Sequence, residues 1–151
     1  MGTNIALGFL MMIVTTVIHG GFMVVAIRIM DAHHRQASRH PSLKRWVTVG
    51  SIVLAMFAGG LVEVAVWAAA FVLLGAISAA EPALYFSTVT FTTLGYGDVL
   101  LDEQWRLLGS FEAANGIIMM GWTTAIVVAA VQRVTAQPAP TQSDQQEDQH
   151  V

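Results

Sequence analysis

The 151-residue chain contains no cysteine, and only 11% of its residues are charged. Without cysteine the chain forms no disulfide bond and offers no thiolate for catalysis or metal binding. Its net charge of −3 is too small to indicate a nucleic-acid partner. Of all its residues 55% are hydrophobic, and the mean hydropathy of the chain is +0.62. This is too apolar for an ordinary soluble domain, so we predict a membrane protein.

Three apolar stretches are long enough to cross the hydrocarbon core of a bilayer, which takes about 20 helical residues. They run over residues 5–30, 46–77 and 107–131. Between the second and the third, the sequence predicts a short helix from Pro82 to about Thr92, followed by an irregular, glycine-containing segment. Irregular backbone is tolerated at membrane depth only where protein or a water-filled cavity surrounds it. We therefore expect this segment to be re-entrant and to line a space shared with other chains.

Lysine and arginine are unevenly distributed along the chain. Five of the seven basic residues lie at or between the first two apolar stretches, and none precedes Arg28. Because loops rich in Lys and Arg stay on the cytoplasmic side, we expect a basic cytoplasmic loop over residues 31–45. The N-terminus is then outside and the C-terminus cytoplasmic. His33, His34 and His40 in this loop either sense pH or bind a metal, or belong to a solvated linker.

Residues 88–98 read Thr-Val-Thr-Phe-Thr-Thr-Leu-Gly-Tyr-Gly-Asp. A dehydrated potassium ion needs oxygen ligands in place of its water shell, and successive backbone carbonyls that face one axis supply them. Such a backbone alternates between right- and left-handed conformations, and Gly95 and Gly97 enter the left-handed region without a Cβ clash. The hydroxyl of Thr93 adds an oxygen at the inner end.

The predicted short helix also suits a cation site. Glu81 and Pro82 match the preference for an acid near the positive end of a helix and for proline in its first turn. The C-terminal end, which carries partial negative charge, points toward the glycine-containing segment. Several such ends around one cavity favour a cation over an anion.

On these residues, the segment 46–133 resembles the pore module of tetrameric potassium channels: outer helix, pore helix, selectivity filter and inner helix. The resemblance implies passive K⁺ transport in a plasma (inner) membrane, with K⁺ as permeant ion, no cofactor and no enzymatic reaction. One chain supplies a quarter of the ring, which implies a homotetramer in the lipid bilayer, or a heterotetramer with a close relative. It assigns the filter to Thr93, Leu94, Gly95, Tyr96, Gly97 and Asp98, with the ion sites at the carbonyls of the first four and the Thr93 hydroxyl.

The expected fold class is an all-α membrane protein of three transmembrane helices with a re-entrant pore helix and filter loop, assembling as a tetramer. Residues 1–30 form an additional N-terminal transmembrane helix, without the regularly spaced arginines of a voltage sensor. The loop 31–45 and the pore domain 46–133 follow. Residues 134–151 are polar and are expected to be disordered, and the sequence shows no soluble ligand-binding domain.

Two pore-helix positions depart from the family pattern and bear on support of the filter. Phe86 replaces a tryptophan that in many members hydrogen-bonds the filter tyrosine, so Tyr96 has to rely on Thr90 or on a neighbouring chain. Val89 replaces a glutamate that pairs with the filter aspartate in some bacterial members. The sequence therefore predicts that Asp98 lacks that partner.

The third long helix contains two glycines about where the inner helix of the family bends. Gly116 and Gly121 each fit a gating hinge, because glycine weakens a helix by roughly 1 kcal/mol relative to alanine. Close packing against a neighbouring helix is the alternative, and it is the preferred interpretation at Gly121. The same registration predicts that the cavity is lined by Ile117, Met120, Thr124 and Val128, with Met120 or Val128 as a hydrophobic constriction.

Ionisable side chains inside a membrane cost at least about 2.5 kcal/mol each on insertion scales, so they indicate function by default. His19 and Glu63 lie at similar depths in the first two apolar stretches, and we predict that they meet. Such a contact is either a proton-sensitive pair or a neutral glutamic acid that hydrogen-bonds for packing. Glu112 and Asn115 lie near filter height and are predicted to brace the filter from behind.

The sequence leaves three other functions open. A weakly selective cation channel results if Tyr96 is loosely held. A potassium transporter subunit is disfavoured because such proteins usually carry four pore loops in one chain and keep only one filter glycine. A non-conducting partner of other channel subunits has no positive sign in the sequence.

Overall fold

The computed structural model describes residues 2–35 and 41–135 of the chain. Within them the chain forms four helices and no strand: α1 (Gly2–Arg35), α2 (Pro41–Leu73), α3 (Ala80–Phe91) and α4 (Arg106–Thr135). Three of these are long and apolar enough to cross a membrane, over Gly2–Ala32, Leu43–Leu73 and Arg106–Val134. The predicted all-helical class, with three candidate membrane spans and a short helix between the last two, is confirmed.

The helices do not end where the apolar stretches end. α1 continues to Arg35 and α2 begins at Pro41, so part of the predicted loop 31–45 is helical. Arginine and lysine are good helix formers and proline is favoured at a first helical position, so both helices extend beyond the apolar core. α4 likewise continues two residues into the predicted tail. The side chains of His33 and His34, all of His40 and the tail beyond residue 135 lie outside the described residues.

α2 is shorter than predicted at its C-terminal end, because the backbone reverses at Gly75 with φ +69°. The Gly75 N–H donates to the carbonyl of Val72 at 3.0 Å, and the Ala76 N–H donates to that of Phe71 at 2.9 Å. These two bonds form a Schellman motif, which satisfies the last carbonyls of the helix. The chain leaves α2 after Leu73 rather than at residue 77.

The contacts between the long helices fix their relative directions. Gly59 of α2 packs under the ring of Phe22 of α1, and Glu63 contacts His19, so α1 and α2 are antiparallel. Gly8 of α1 lies against Phe111 of α4. The later side-chain contacts between these two helices have residue numbers that rise together in α1 and α4, so α1 and α4 are parallel. α1 therefore lies in the groove between α2 and α4.

Two apolar clusters hold the helices together. The larger surrounds Trp67 and Phe71 of α2 and includes Phe91 at the end of α3 together with Leu108 of α4. The second joins α1, α2 and α4 through Ala26, Met30, Ile52, Met56 and Ala130. Because the larger cluster contacts the end of α3, it fixes the position of the irregular segment that follows.

Candidate functional site

The segment of residues 93–98, which we call the glycine segment, begins directly after α3. Its backbone has positive φ at alternate residues: 60° at Thr93, 56° at Gly95 and 78° at Gly97. The left-handed conformation of the two glycines agrees with the prediction from sequence. That of Thr93 was not predicted, and for a residue with a Cβ it costs about 1–2 kcal/mol.

The glycine segment is tied to the last turn of α3 by backbone hydrogen bonds. The carbonyl of Val89 accepts from the N–H groups of Leu94 at 2.9 Å and Gly95 at 3.2 Å, and that of Thr90 accepts from Thr93 at 2.9 Å. In the described part of the chain, the carbonyl oxygens of residues 93–96 accept no hydrogen bond. They are therefore available as ligands for a cation.

Asp98 has a partner that the sequence interpretation missed. The Tyr85 hydroxyl donates to its carboxylate at 2.6 Å. This bond lowers the pKa of Asp98 below its ordinary value of 3.8, and the same carboxylate raises the pKa of Tyr85 above 10.0. The replacement of glutamate by Val89 therefore does not leave Asp98 without a partner. Tyr85 precedes Val89 by four residues and so shares its face of α3, which was the available signal.

Tyr96 is held less firmly than Asp98. Its side chain is 68% exposed, and within the described residues no hydrogen bond joins it to Thr90. Phe86 packs into the core instead, with its ring edge-on to Phe71 at 5.2 Å between centroids. The expected support of Tyr96 by Thr90 is absent within one chain. Tyr85, Phe86, Val89 and Thr90 line a cavity of about 180 Å³ behind the glycine segment.

Gly116 and Gly121 of α4 have different surroundings. A Cβ on Gly116 would lie 1.9 Å from the carbonyl oxygen of Phe91, whereas nothing lies within 4 Å of a Cβ on Gly121. Close packing is thus found at Gly116, and within one chain it is not found at Gly121, where it had been preferred. The four predicted cavity residues are exposed on α4: Ile117, Met120, Thr124 and Val128.

A buried polar cluster connects α1 to the other helices. The predicted contact between His19 and Glu63 is present, with 2.8 Å between Nδ1 and Oε1 and both side chains at most 1% exposed. Asn115 donates from Nδ2 to the Thr15 hydroxyl at 2.8 Å. Asn115 therefore holds α1 and makes no hydrogen bond to the glycine segment that it was expected to brace. Thr15 precedes His19 by one helical turn, so the shared face was visible in the sequence.

Glu112, by contrast, contacts the middle of α3. Its Oε1 is within hydrogen-bond distance of the Ser87 hydroxyl. That hydroxyl also lies 2.8 Å from the carbonyl oxygen of Val64 in α2. Ser87 and Glu112 are both fully buried. Through Ser87, these contacts join three helices at the height of α3.

Residues 59–133 match the family model described as ion channel. This range takes in the C-terminal part of α2, all of α3, the glycine segment and nearly all of α4, so it is an ion-channel pore module. With its three apolar helices the protein is a multi-pass membrane protein with the general function of an ion channel. Comparison with curated proteins and with solved structures gave no significant match.

Proposed function

We propose that the protein is a potassium-selective channel in which four copies surround one conduction axis. The observation that carries the proposal is the sequence Thr-Leu-Gly-Tyr-Gly at residues 93–97, with left-handed backbone at its first, third and fifth positions. Because successive peptide planes then turn the same way, the carbonyl oxygens can replace the hydration shell of K⁺. The residues that would hold the ion are Thr93, Leu94, Gly95 and Tyr96.

The position of the glycine segment supports a cation rather than an anion. It follows the C-terminal end of α3, where helix dipoles carry partial negative charge. Asp98 adds a carboxylate, whose pKa is held low by Tyr85, at the opposite end of the segment. Among the described residues, no cluster of His, Asp or Glu side chains could bind a metal ion. Backbone oxygens are thus the available ligands.

The assembly of four chains is supported by apolar surface that a single chain leaves uncovered. Tyr96 in the glycine segment and Ile117 in α4 are 68% and 61% exposed, and Leu84 of α3 is 47% exposed. In a four-fold ring, such surfaces pack against neighbouring copies or line the axis. We propose a homotetramer in a bacterial-type plasma membrane, with the N-terminus outside and the C-terminus cytoplasmic.

The test is the reversal potential of the purified protein in planar bilayers under opposed K⁺ and Na⁺ gradients. We expect reversal near the potassium equilibrium potential. Gly95→Ala should abolish it, because an L-residue at φ +56° is strained. Gly121→Ala makes the same chemical change at a position where a Cβ meets nothing within 4 Å among the described residues of one chain, and it should keep the selectivity. Equal loss in both variants would contradict the assignment of Gly95 to the filter.

The second candidate is a weakly selective cation channel, which the 68% exposure of Tyr96 favours. Reversal near zero in the same experiment would establish it. Phe86→Trp, which offers an indole N–H toward the glycine segment, should then move the reversal potential toward that of K⁺. Silence at every voltage and pH would instead favour an unknown gate or a non-conducting partner, and cross-linking to a tetramer of one chain type would remove the second of these.

A further inference from the structure

The Ser87 hydroxyl lies between two oxygen atoms, and this fixes the position of a proton. Its partner in α2 is the backbone carbonyl of Val64, 2.8 Å away. Its partner in α4 is a carboxyl oxygen of Glu112. Both contacts are between oxygens at hydrogen-bond distance, so each of them needs one hydrogen atom.

A serine hydroxyl carries a single hydrogen, while a backbone carbonyl carries none. If Ser87 donates to Val64, the contact with Glu112 is left without a hydrogen unless the carboxyl group supplies it. If Ser87 donates to Glu112 instead, two oxygens with lone pairs face each other at 2.8 Å. We therefore infer that Glu112 is a proton-binding site: it is held as the neutral carboxylic acid and donates to Ser87, which in turn donates to Val64.

The surroundings of Glu112 agree with a bound proton. Its side chain is fully buried, and its second oxygen, Oε2, makes no hydrogen bond. An ionised carboxylate in this position would accept at most one hydrogen bond, and a buried charge with so few donors has a high free energy away from water. The titratable side chains that α1 and α2 bring to the same interior, His19 and Glu63, already contact each other. Neither of them is bonded to Glu112.

The bound proton gives Glu112 a positioning role. The chain of bonds from Glu112 through Ser87 to Val64 fixes the middle of α3 between α4 and α2. The last turn of α3 holds the glycine segment through Val89 and Thr90. Glu112 thus positions the conduction site without touching the ion. The importance of this role for ion selection rests on the proposed function, whereas the protonation itself does not.

Infrared spectroscopy tests the protonation without any measurement of conduction. The purified full chain would be studied at pH 7, in a detergent that has no ester group. The carbonyl stretch of a neutral carboxylic acid is separate from the bands of carboxylate and amide groups, and it shifts in D₂O. We expect such a band in the wild type, its loss in Glu112→Gln, and its retention in Glu63→Gln. A band that is absent from the wild type, or lost only in Glu63→Gln, would overturn the inference.

A second set of variants tests the donor role and guards against a folding failure. Glutamine has an N–H group that can donate to Ser87 as the carboxylic acid does, whereas leucine of similar size cannot. Glu112→Gln should therefore keep the oligomer on size exclusion and the reversal potential of the wild type. Glu112→Leu should lose the selectivity at least in part. If the two variants have the same reversal potential and the same oligomer, the positioning role is refuted. The infrared test of protonation does not depend on that result.

Discussion

Substitution of Gly116 by alanine separates two roles for this residue, because they predict opposite signs. A Cβ at this position would lie 1.9 Å from the Phe91 carbonyl oxygen, 2.8 Å from its carbon and 3.1 Å from Cα. All three atoms belong to the backbone at the end of α3, so no side-chain rotation relieves the overlap. Ordinary van der Waals contact begins about 1.5 Å further out. The end of α3 has to move by about that distance.

The size of the effect follows from two opposing contributions. Overpacking of a well-packed interior costs typically about 1–3 kcal/mol. Alanine recovers about 1 kcal/mol relative to glycine through its helix propensity. Gly116→Ala should therefore destabilise the protein by up to about 2 kcal/mol. Within the described part of one chain, a Cβ on Gly121 meets no atom within 4 Å, so Gly121→Ala should stabilise the protein by up to about 1 kcal/mol.

Thermal unfolding in detergent, followed by tryptophan fluorescence, measures the stability of both variants against the wild type. The reversal potential under opposed K⁺ and Na⁺ gradients measures the consequence for the glycine segment, which only Thr92 separates from Phe91. We expect Gly116→Ala to melt at a lower temperature and to reverse nearer zero. If it is at least as stable as the wild type, remains selective and changes only the open probability, Gly116 is a hinge and the packing argument is wrong.

Two further predictions concern side-chain pairs. Tyr85→Phe removes the donor to Asp98, so it should lower the melting temperature at neutral pH. That bond lowers the pKa of Asp98 below its ordinary value of 3.8. The difference in melting temperature between wild type and variant should therefore vanish as the pH falls below 3.8. A difference that stays constant with pH would show that it does not come from the bond to the Asp98 carboxylate. His19→Phe leaves Glu63 buried without its partner and should cost about 3 kcal/mol in thermal unfolding. The double variant with Glu63→Leu should recover most of it, and an unchanged melting temperature in the single variant would show that the pair contributes nothing.

The sequence allowed the membrane helices to be predicted because hydropathy reports what lies in the hydrocarbon core. It did not allow their ends to be placed, since those depend on helix propensity and caps. The turn at Gly75 illustrates this, because its effect comes from a backbone φ of +69° and two hydrogen bonds. A single glycine in an apolar run does not reveal whether the helix continues through it.

The candidate site, like the fold, was predictable from the sequence only in part. The left-handed conformation of Gly95 and Gly97 followed from the chemistry of glycine, whereas that of Thr93 depends on the bonds that hold it to α3. The Tyr85 partner of Asp98 and the Thr15 partner of Asn115 join residues on different elements. The spacing of residues along a helix predicts which side chains share a face of that helix, but it does not predict which faces of different helices contact each other. The approach of Phe91 to Gly116 is likewise a property of the packed helices.

α1 is fastened near one end to the turn that precedes α4 and near the other end to α4 itself. At one end Asn4 donates to the carbonyl of Gln104, and at the other Asp31 pairs with Arg133 at 3.1 Å. In a channel whose opening moves the cytoplasmic end of α4, we expect α1 to move with it. The moving body is then about 20 Å wide instead of the roughly 10 Å of one helix, and it displaces correspondingly more lipid.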